Sequence, residues 1–477
     1  MQYRWPDRPV VVVCIDGGDP AYLDKGIEKG ILPNVARFMA TGFSAIAQCV
    51  IPSFTCPNNV SIVTGAPPSI HGISGNFYLE PETGNAVVMT GPELMRSTTI
   101  LAEFSRSGAR VASITAKDKL RQQLGKGMNI AGGCINFSSE KADQCNTREN
   151  GIENVLELVG MPLPDMYSPE LSLFVLEAGI RLLETVKPLI MYLSLTDYIQ
   201  HKYAPGEPDA DQYYRNMDDC FGRLDELGAV VGLVADHGMR DKSNPDGSPK
   251  VVWLQDALDR EFGNGATTVI CPITDYFVAH HGSLGSFVRV YCRRRATPEA
   301  VVRFVRTLPG IEAVHDKATA ARLFDLPIDR EGDVVVISDD GTCIGTTPSA
   351  HDLPALGDHA LRTHGGIAES RVPFILNYPL HETYAERAAR GGLRNFHIFD
   401  FAINGVVTRE DRPQRSRSLG SMASRSASPN RLKPKTVSAI ARPGKTAIHG
   451  AVEAYSSAPP CNIRPQAAVG SCTPRPR

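Results

Sequence analysis

Short runs of branched apolar residues alternate along this chain with stretches whose apolar positions recur at helical spacing. The runs Val10–Ile15, Arg110–Thr115, Leu189–Leu195, Ala229–Ala235 and Val372–Leu376 read as buried strands. The stretches Asn34–Thr41, Thr98–Ser107, Pro169–Val186 and Ala210–Leu227 read as helices. Pro33 opens the first of these and Gly42 closes it, the usual asymmetry of helix ends. A βαβα rhythm of this kind predicts an α/β fold, a mostly parallel sheet sandwiched by helices.

The rhythm breaks over roughly residues 250–350. A run at Phe287–Tyr291, a helix candidate at Pro298–Leu308, and Asp333–Ser338 leading into the turn Asp339-Asp340-Gly341 predict a smaller α+β insertion. Its expected place is as a cap over a site built by residues 1–249 and 351–410. The main pattern resumes near Thr363-His364-Gly365-Gly366. Residues 411–477 are rich in Ser, Pro, Ala and Arg, with no period, and are expected to be a disordered basic tail, most simply a solvated one. No internal repeat is visible.

Composition narrows the classes. A chain of 477 residues exceeds one ordinary core, which fits a main domain plus an insertion. A hydrophobic share of 42% with 21% charged residues is that of a globular protein. A net charge of −2 gives no strong overall pull toward nucleic acid or membrane, and the tail holds most of the excess positive charge. The 11 cysteines are scattered without a CxxC pair, which fits a reducing, cytoplasmic setting and argues against a thiolate metal site. Val10–Ile15 is short and runs straight into Asp16, so it reads as a strand and not as a secretion signal.

Three of the predicted strands end in an acidic residue: Asp16, Asp197, and Asp236 with His237 beside it. Loops at the C-terminal ends of parallel strands are where α/β folds place chemistry. Asp197 and His201 are spaced i, i+4, so a helical turn puts both on one face. His364 sits in a glycine-rich turn. Carboxylates mixed with imidazoles suit zinc, and two such sets around a hydroxyl would make a two-metal phosphoryl-transfer site. The candidate hydroxyl is Thr55, at the start of a helix containing Pro57 and ended by Gly65. Free N–H groups and the helix dipole favour an anion there. The plainer reading is that Thr55 or Cys56 caps the helix. Lys117 and Lys119 follow a strand at a spacing suited to an extended segment, and by themselves read as solvated. His71 and His397 read as structural; His280 and His281, in the run Ala279–Ser283, read as structural or substrate-gating.

Val13–Gly17, Ser53–Gly65, Thr196–His201, Asp236–Gly238 and Thr363–Gly366 together resemble the alkaline phosphatase superfamily. The branch they resemble holds nucleotide pyrophosphatases/phosphodiesterases and phosphonoacetate hydrolases, and the likeness extends over most of residues 9–405. The resemblance implies two zinc ions, one held by Asp197, His201 and His364, the other by Asp16, Asp236 and His237, with Thr55 bridging as nucleophile. Phe54–Asn59 and Ile70–Asn76 resemble the phosphonoacetate hydrolase variant, in which Asn59 stands where phosphodiesterases carry His. By that resemblance Asn76 would bind the phosphonate oxygens, and Lys117 and Lys119 would bind substrate.

The expected activity is a di-zinc cleavage of the C–P bond of phosphonoacetate to acetate and phosphate through a phosphothreonine. The lysines would neutralise the enolate-like leaving group where its charge develops. The expected partner is a small-molecule phosphonate, with no nucleic acid and no membrane, and a homodimer is the assembly entertained. Two other readings stay open: a nucleotide phosphodiesterase or phosphomonoesterase with the same metals, and a non-catalytic binding protein on the same fold.

Overall fold

The computed structural model describes residues 2–80, 83–273, 283–293, 296–356 and 359–407. The run containing His280 and His281 and the basic tail lie outside them. Strand β1 (Val10–Cys14) is five consecutive buried residues, as expected where helices cover both faces. It pairs in parallel on one side with β5 (Ile190–Ser194) and on the other with β6 (Val230–Val234). The full sheet also contains β2 (Phe43–Gln48), β3 (Val111–Thr115), β4 (Ile135–Ser138) and β11 (Arg371–Leu376), in the order β2-β11-β6-β1-β5-β3-β4. Only β11 runs antiparallel to its neighbours.

Side chains alternate across the strand. Val11 and Val13 enter one core layer, with the helices Glu170–Thr185 and Pro208–Glu226. Val10 and Val12 enter the other, with the helix Thr55–Thr64. The sheet is thus a three-layer sandwich with every β-strand residue of β1, β3, β5 and β6 buried.

A second, four-stranded antiparallel sheet is made by β7 (Thr267–Ile270), β8 (Phe287–Cys292), β9 (Ile311–Asp316) and β10 (Val334–Ser338), in the order β7-β8-β10-β9. The helices Leu254–Phe262, Pro298–Val305 and Lys317–Phe324 accompany it. Its apolar core includes Ile51 and Phe54, contributed from the loop just before Thr55. Phe54 meets Phe287 edge to face at 6.1 Å and His364 at 5.8 Å. The two sheets therefore share the segment that carries the candidate nucleophile. No helix among the described residues is long and apolar enough to cross a membrane.

Candidate metal centre and active site

Asp16 lies two residues beyond β1, Asp236 two beyond β6, Asp197 three beyond β5, and Lys117 two beyond β3. All project from the C-terminal edge of the large sheet. Asp197 precedes the short helix Tyr198–Lys202, which carries His201, and His364 follows the two-residue strand Arg362–Thr363.

Thr55 is the first residue of the helix Thr55–Thr64, which ends at Gly65 in the left-handed conformation. Phe54 occupies the capping position, and no side chain caps the helix. The Thr55 hydroxyl is therefore not spent on capping. It is half-buried between otherwise buried neighbours. Its Oγ1 lies 3.2 Å from His237 Nε2 and 3.4 Å from Asp16 Oδ1.

Two sets of buried side chains bring ligand atoms within 4.8 Å of one another: Asp197 with His201 and His364, and Asp16 with Asp197 and His237. The first is the trio singled out by resemblance. In the second, Asp197 stands where Asp236 was expected. Asp236 is near, with Oδ2 3.8 Å from His237 Nε2, but its carboxylate is already engaged: Oδ1 accepts from the Gly17 and His237 amides, and Oδ2 from Asn59 Nδ2.

The three imidazoles share one device. His201 Nδ1 lies 2.6 Å from the Arg362 carbonyl, His237 Nδ1 2.9 Å from that of Gly238, and His364 Nδ1 2.8 Å from that of Ser53. A carbonyl can only accept, so each Nδ1 carries a proton and each Nε2 is left to the site, the arrangement metal-binding histidines use. The His237 and His364 rings stack with centroids 3.5 Å apart.

The electrostatics point the same way. Asp16, Asp197 and Asp236 are all buried. Burial, with Asp16 alongside, pushes the Asp236 carboxyl well above the usual carboxylate range. Burial disfavours the His237 imidazolium, yet Asp236 and Asp16 outweigh it and bring the group up to about 10. Burial, then the neighbouring His237 and His201, drive His364 down. Uncompensated buried charge costs several kcal/mol, and cations at these donors would remove that cost. The donor set fits divalent metal ions.

Lys119 lies in the first turn of the helix Asp118–Leu124, and Lys117 is the extended residue that precedes it. The pair does not lie on one extended segment, because the helix begins between them. Burial, then the charge of Lys117, bring Lys119 down to about 8, while Cys56, Asp197 and Asp16 oppose the shift. Lys119 thus feels both the helix that begins at Thr55 and two of the candidate metal-binding carboxylates. Lys117, Lys119, Glu140, Lys141 and Met166 line one cavity. Asn76 is half-buried and its Nδ2 donates to the Ile273 carbonyl at 3.0 Å; it belongs to neither ligand set.

Asn59 has a larger part than its position in a motif conveys. Its Oδ1 accepts from Tyr192 (2.7 Å) and Ser194 (2.8 Å), while its Nδ2 donates to the Thr55 carbonyl and to Asp236 Oδ2. It joins the helix that begins at Thr55 to strand β5 and to the Asp236 carboxylate. Asn59→Leu should orphan two buried hydroxyls and one carboxylate oxygen, at about 1–3 kcal/mol each. A lowered urea midpoint together with slower turnover is the expected result, read by equilibrium unfolding and initial rates.

The profile of the type I phosphodiesterase / nucleotide pyrophosphatase family matches residues 10–366. An uncharacterised pyrophosphatase/phosphodiesterase of Schizosaccharomyces pombe is 24% identical over 258 residues, 52% of this chain and 48% of the relative. Phosphonoacetate hydrolase of Penicillium oxalicum is 56% identical over 27 residues, 6% of this chain and 38% of the relative. The chain thus spans about half the length, or less, of these two relatives. Phosphonoacetate hydrolase from Sinorhizobium meliloti 1021, solved with phosphonoformate and with phosphonoacetate, is 46% identical with a TM-score of 0.81, covering 84% of this chain and 97% of that one. Human ectonucleotide pyrophosphatase / phosphodiesterase 5 shares the fold, at 16% identity and a TM-score of 0.55, over 83% of this chain and 93% of its own. The chain belongs to the type I phosphodiesterase / nucleotide pyrophosphatase family, on the branch of the phosphonoacetate hydrolases.

Proposed function

We propose that this chain hydrolyses the C–P bond of phosphonoacetate to acetate and phosphate, with Thr55 as nucleophile. The observation that carries the reading is the uncapped Thr55 hydroxyl at a helix start, 3.2 Å from His237 Nε2 and 3.4 Å from Asp16 Oδ1. Two divalent cations, zinc being the best match to carboxylate and imidazole donors, would be held by Asp197, His201 and His364 and by Asp16, Asp236 and His237. Bound there, they would lower the pKa of the hydroxyl and draw charge from the phosphoryl oxygens.

Thr55 Oγ1 gives up its proton to solvent and attacks phosphorus, and the P–C bond breaks. The electron pair leaves with the carbon and delocalises into the adjacent carboxylate. Lys117 and Lys119 offset that charge as it forms, and a proton taken up from water at carbon gives acetate. Asn76 would hold a phosphonate oxygen, given a shift of its amide from the Ile273 carbonyl. Water then attacks phosphorus, releasing phosphate and restoring Thr55. The free cysteines found among the described residues fit a reducing, cytoplasmic setting.

The test compares phosphate release from phosphonoacetate with turnover of p-nitrophenyl phosphate mono- and diesters. Faster turnover of an ester than of phosphonoacetate would replace this reading with the phosphatase or phosphodiesterase one. Lys119 gives a sharper arm. With its ammonium lost as pH rises through about 8, the KM for phosphonoacetate should be flat below that pH and climb above it. Lys119→Met should cut kcat/KM for phosphonoacetate about 10–100-fold, the worth of a charge-assisted contact, and flatten the pH profile. Equal losses on phosphonoacetate and on a phosphate ester would exclude a carboxylate-specific role.

A further inference from the structure

Lys242 and Glu369 are fully buried and paired, Nζ to Oε1, at 2.8 Å. Lys242 Nζ also donates to the carbonyls of Asp339 (3.2 Å) and Asp340 (2.7 Å), in the turn after β10 of the second sheet. Three acceptors thus meet the three ammonium hydrogens. The remaining Glu369 oxygen, Oε2, accepts from the Gly366 amide at 2.8 Å, two residues past His364. The Glu369 backbone carbonyl accepts from the Gly238 amide at 2.7 Å, the residue after His237. One residue therefore ties together the two turns whose imidazoles stack 3.5 Å apart. The packing around this tie is close, since a Cβ on Gly366 would fall 2.9 Å from Ser286 Cβ and 3.1 Å from Glu369 Oε2.

A buried ion pair adds little net stability over apolar groups of the same shape, so stability alone is a weak reason for this one. We infer that Glu369 is a positioning residue that sets the spacing of His237 and His364, and through them of the two cation sites, with Lys242 as its counter-charge. The inference rests on the proposed function only in requiring that these histidines hold cations.

The test uses two double variants of the full chain that both remove the charge pair. Lys242→Met/Glu369→Gln keeps an acceptor for the Gly366 amide, and Lys242→Met/Glu369→Leu does not. Each is stripped of metal and titrated with zinc against a chromophoric chelator, beside the natural chain, and melted in the presence of EDTA. The expected result is zinc affinity near that of the natural chain for the glutamine variant, and about 10–100-fold weaker binding for the leucine variant, with similar melting of the two metal-free variants. Unchanged zinc affinity in the leucine variant would overturn the inference. So would failure of both variants to fold, which would reduce the pair to a fold determinant. A natural chain that takes up no zinc would overturn the proposed function as well, and that arm is read independently of the variants.

Discussion

Thr55→Ala should lower phosphonoacetate turnover by about 10⁴-fold or more, the scale on which loss of a covalent nucleophile is felt. The substitution is mild in every other respect. Thr55 is the first helical residue and not the cap, and alanine is the best helix former, so the melting temperature should barely move. The helix start, the lysines and the carboxylate and imidazole cation donors all remain, so substrate should still bind. Thr55→Ser keeps the hydroxyl and should retain a measurable part of the activity. Rapid-quench analysis of the natural enzyme with ³²P-labelled phosphonoacetate should trap label on the protein, and the alanine variant should trap none. Full activity in Thr55→Ala would remove the covalent scheme, whatever the substrate proves to be.

The parts of the fold legible in the sequence are those whose burial is extreme. β1, β3, β5 and β6 are buried on both faces, so they appear as unbroken apolar runs. β2 is an edge strand, mostly half-exposed, and β4 is four residues long with Asn136 and Ser138 in it; neither carries a period or an apolar run, and neither was anticipated. The small hairpin of Phe77–Leu79 with Ala86–Val88 is apolar, but each of its strands is only three residues long.

The acidic residues at strand ends stand out because sequence position and spatial position coincide there. The residues that orient them do not stand out. The acceptors for the three histidine Nδ1 protons are backbone carbonyls of Arg362, Gly238 and Ser53, which any residue supplies, so no side-chain type could signal them. Glu369 reaches the Gly238 turn through its own carbonyl, from far along the chain. Lys117 and Lys119 were expected on an extended segment, but the amide of Asp118 finds a carboxylate in Glu140, 2.8 Å away, and the helix begins there. Asn59 alone had an available signal: it lies one helical turn after Thr55 and shares its face.

Stripping the divalent cations should abolish activity and load the site with protons. Three carboxylates are buried together here, and with no cation they are relieved in the way the structure already indicates. The Asp236 carboxyl sits far above its ordinary range, and the His237 imidazole is held up at about 10. At neutral pH the stripped chain therefore carries a proton on His237 where the ring nitrogen must be bare for a cation to bind. Adding zinc back should release it. Isothermal titration in buffers of different ionisation enthalpy would detect it, and the release should fade as pH rises through about 10, where His237 has already lost its proton. The stripped chain should also melt earlier. Saturation at a thousand times the dissociation constant is worth about 4 kcal/mol, and the shift should shrink in step with free zinc. A buffer-independent heat at neutral pH would mean that the ion does not displace the His237 proton. The cations would then sit elsewhere, and the pairing of His237 with Thr55 would be a hydrogen bond and nothing more.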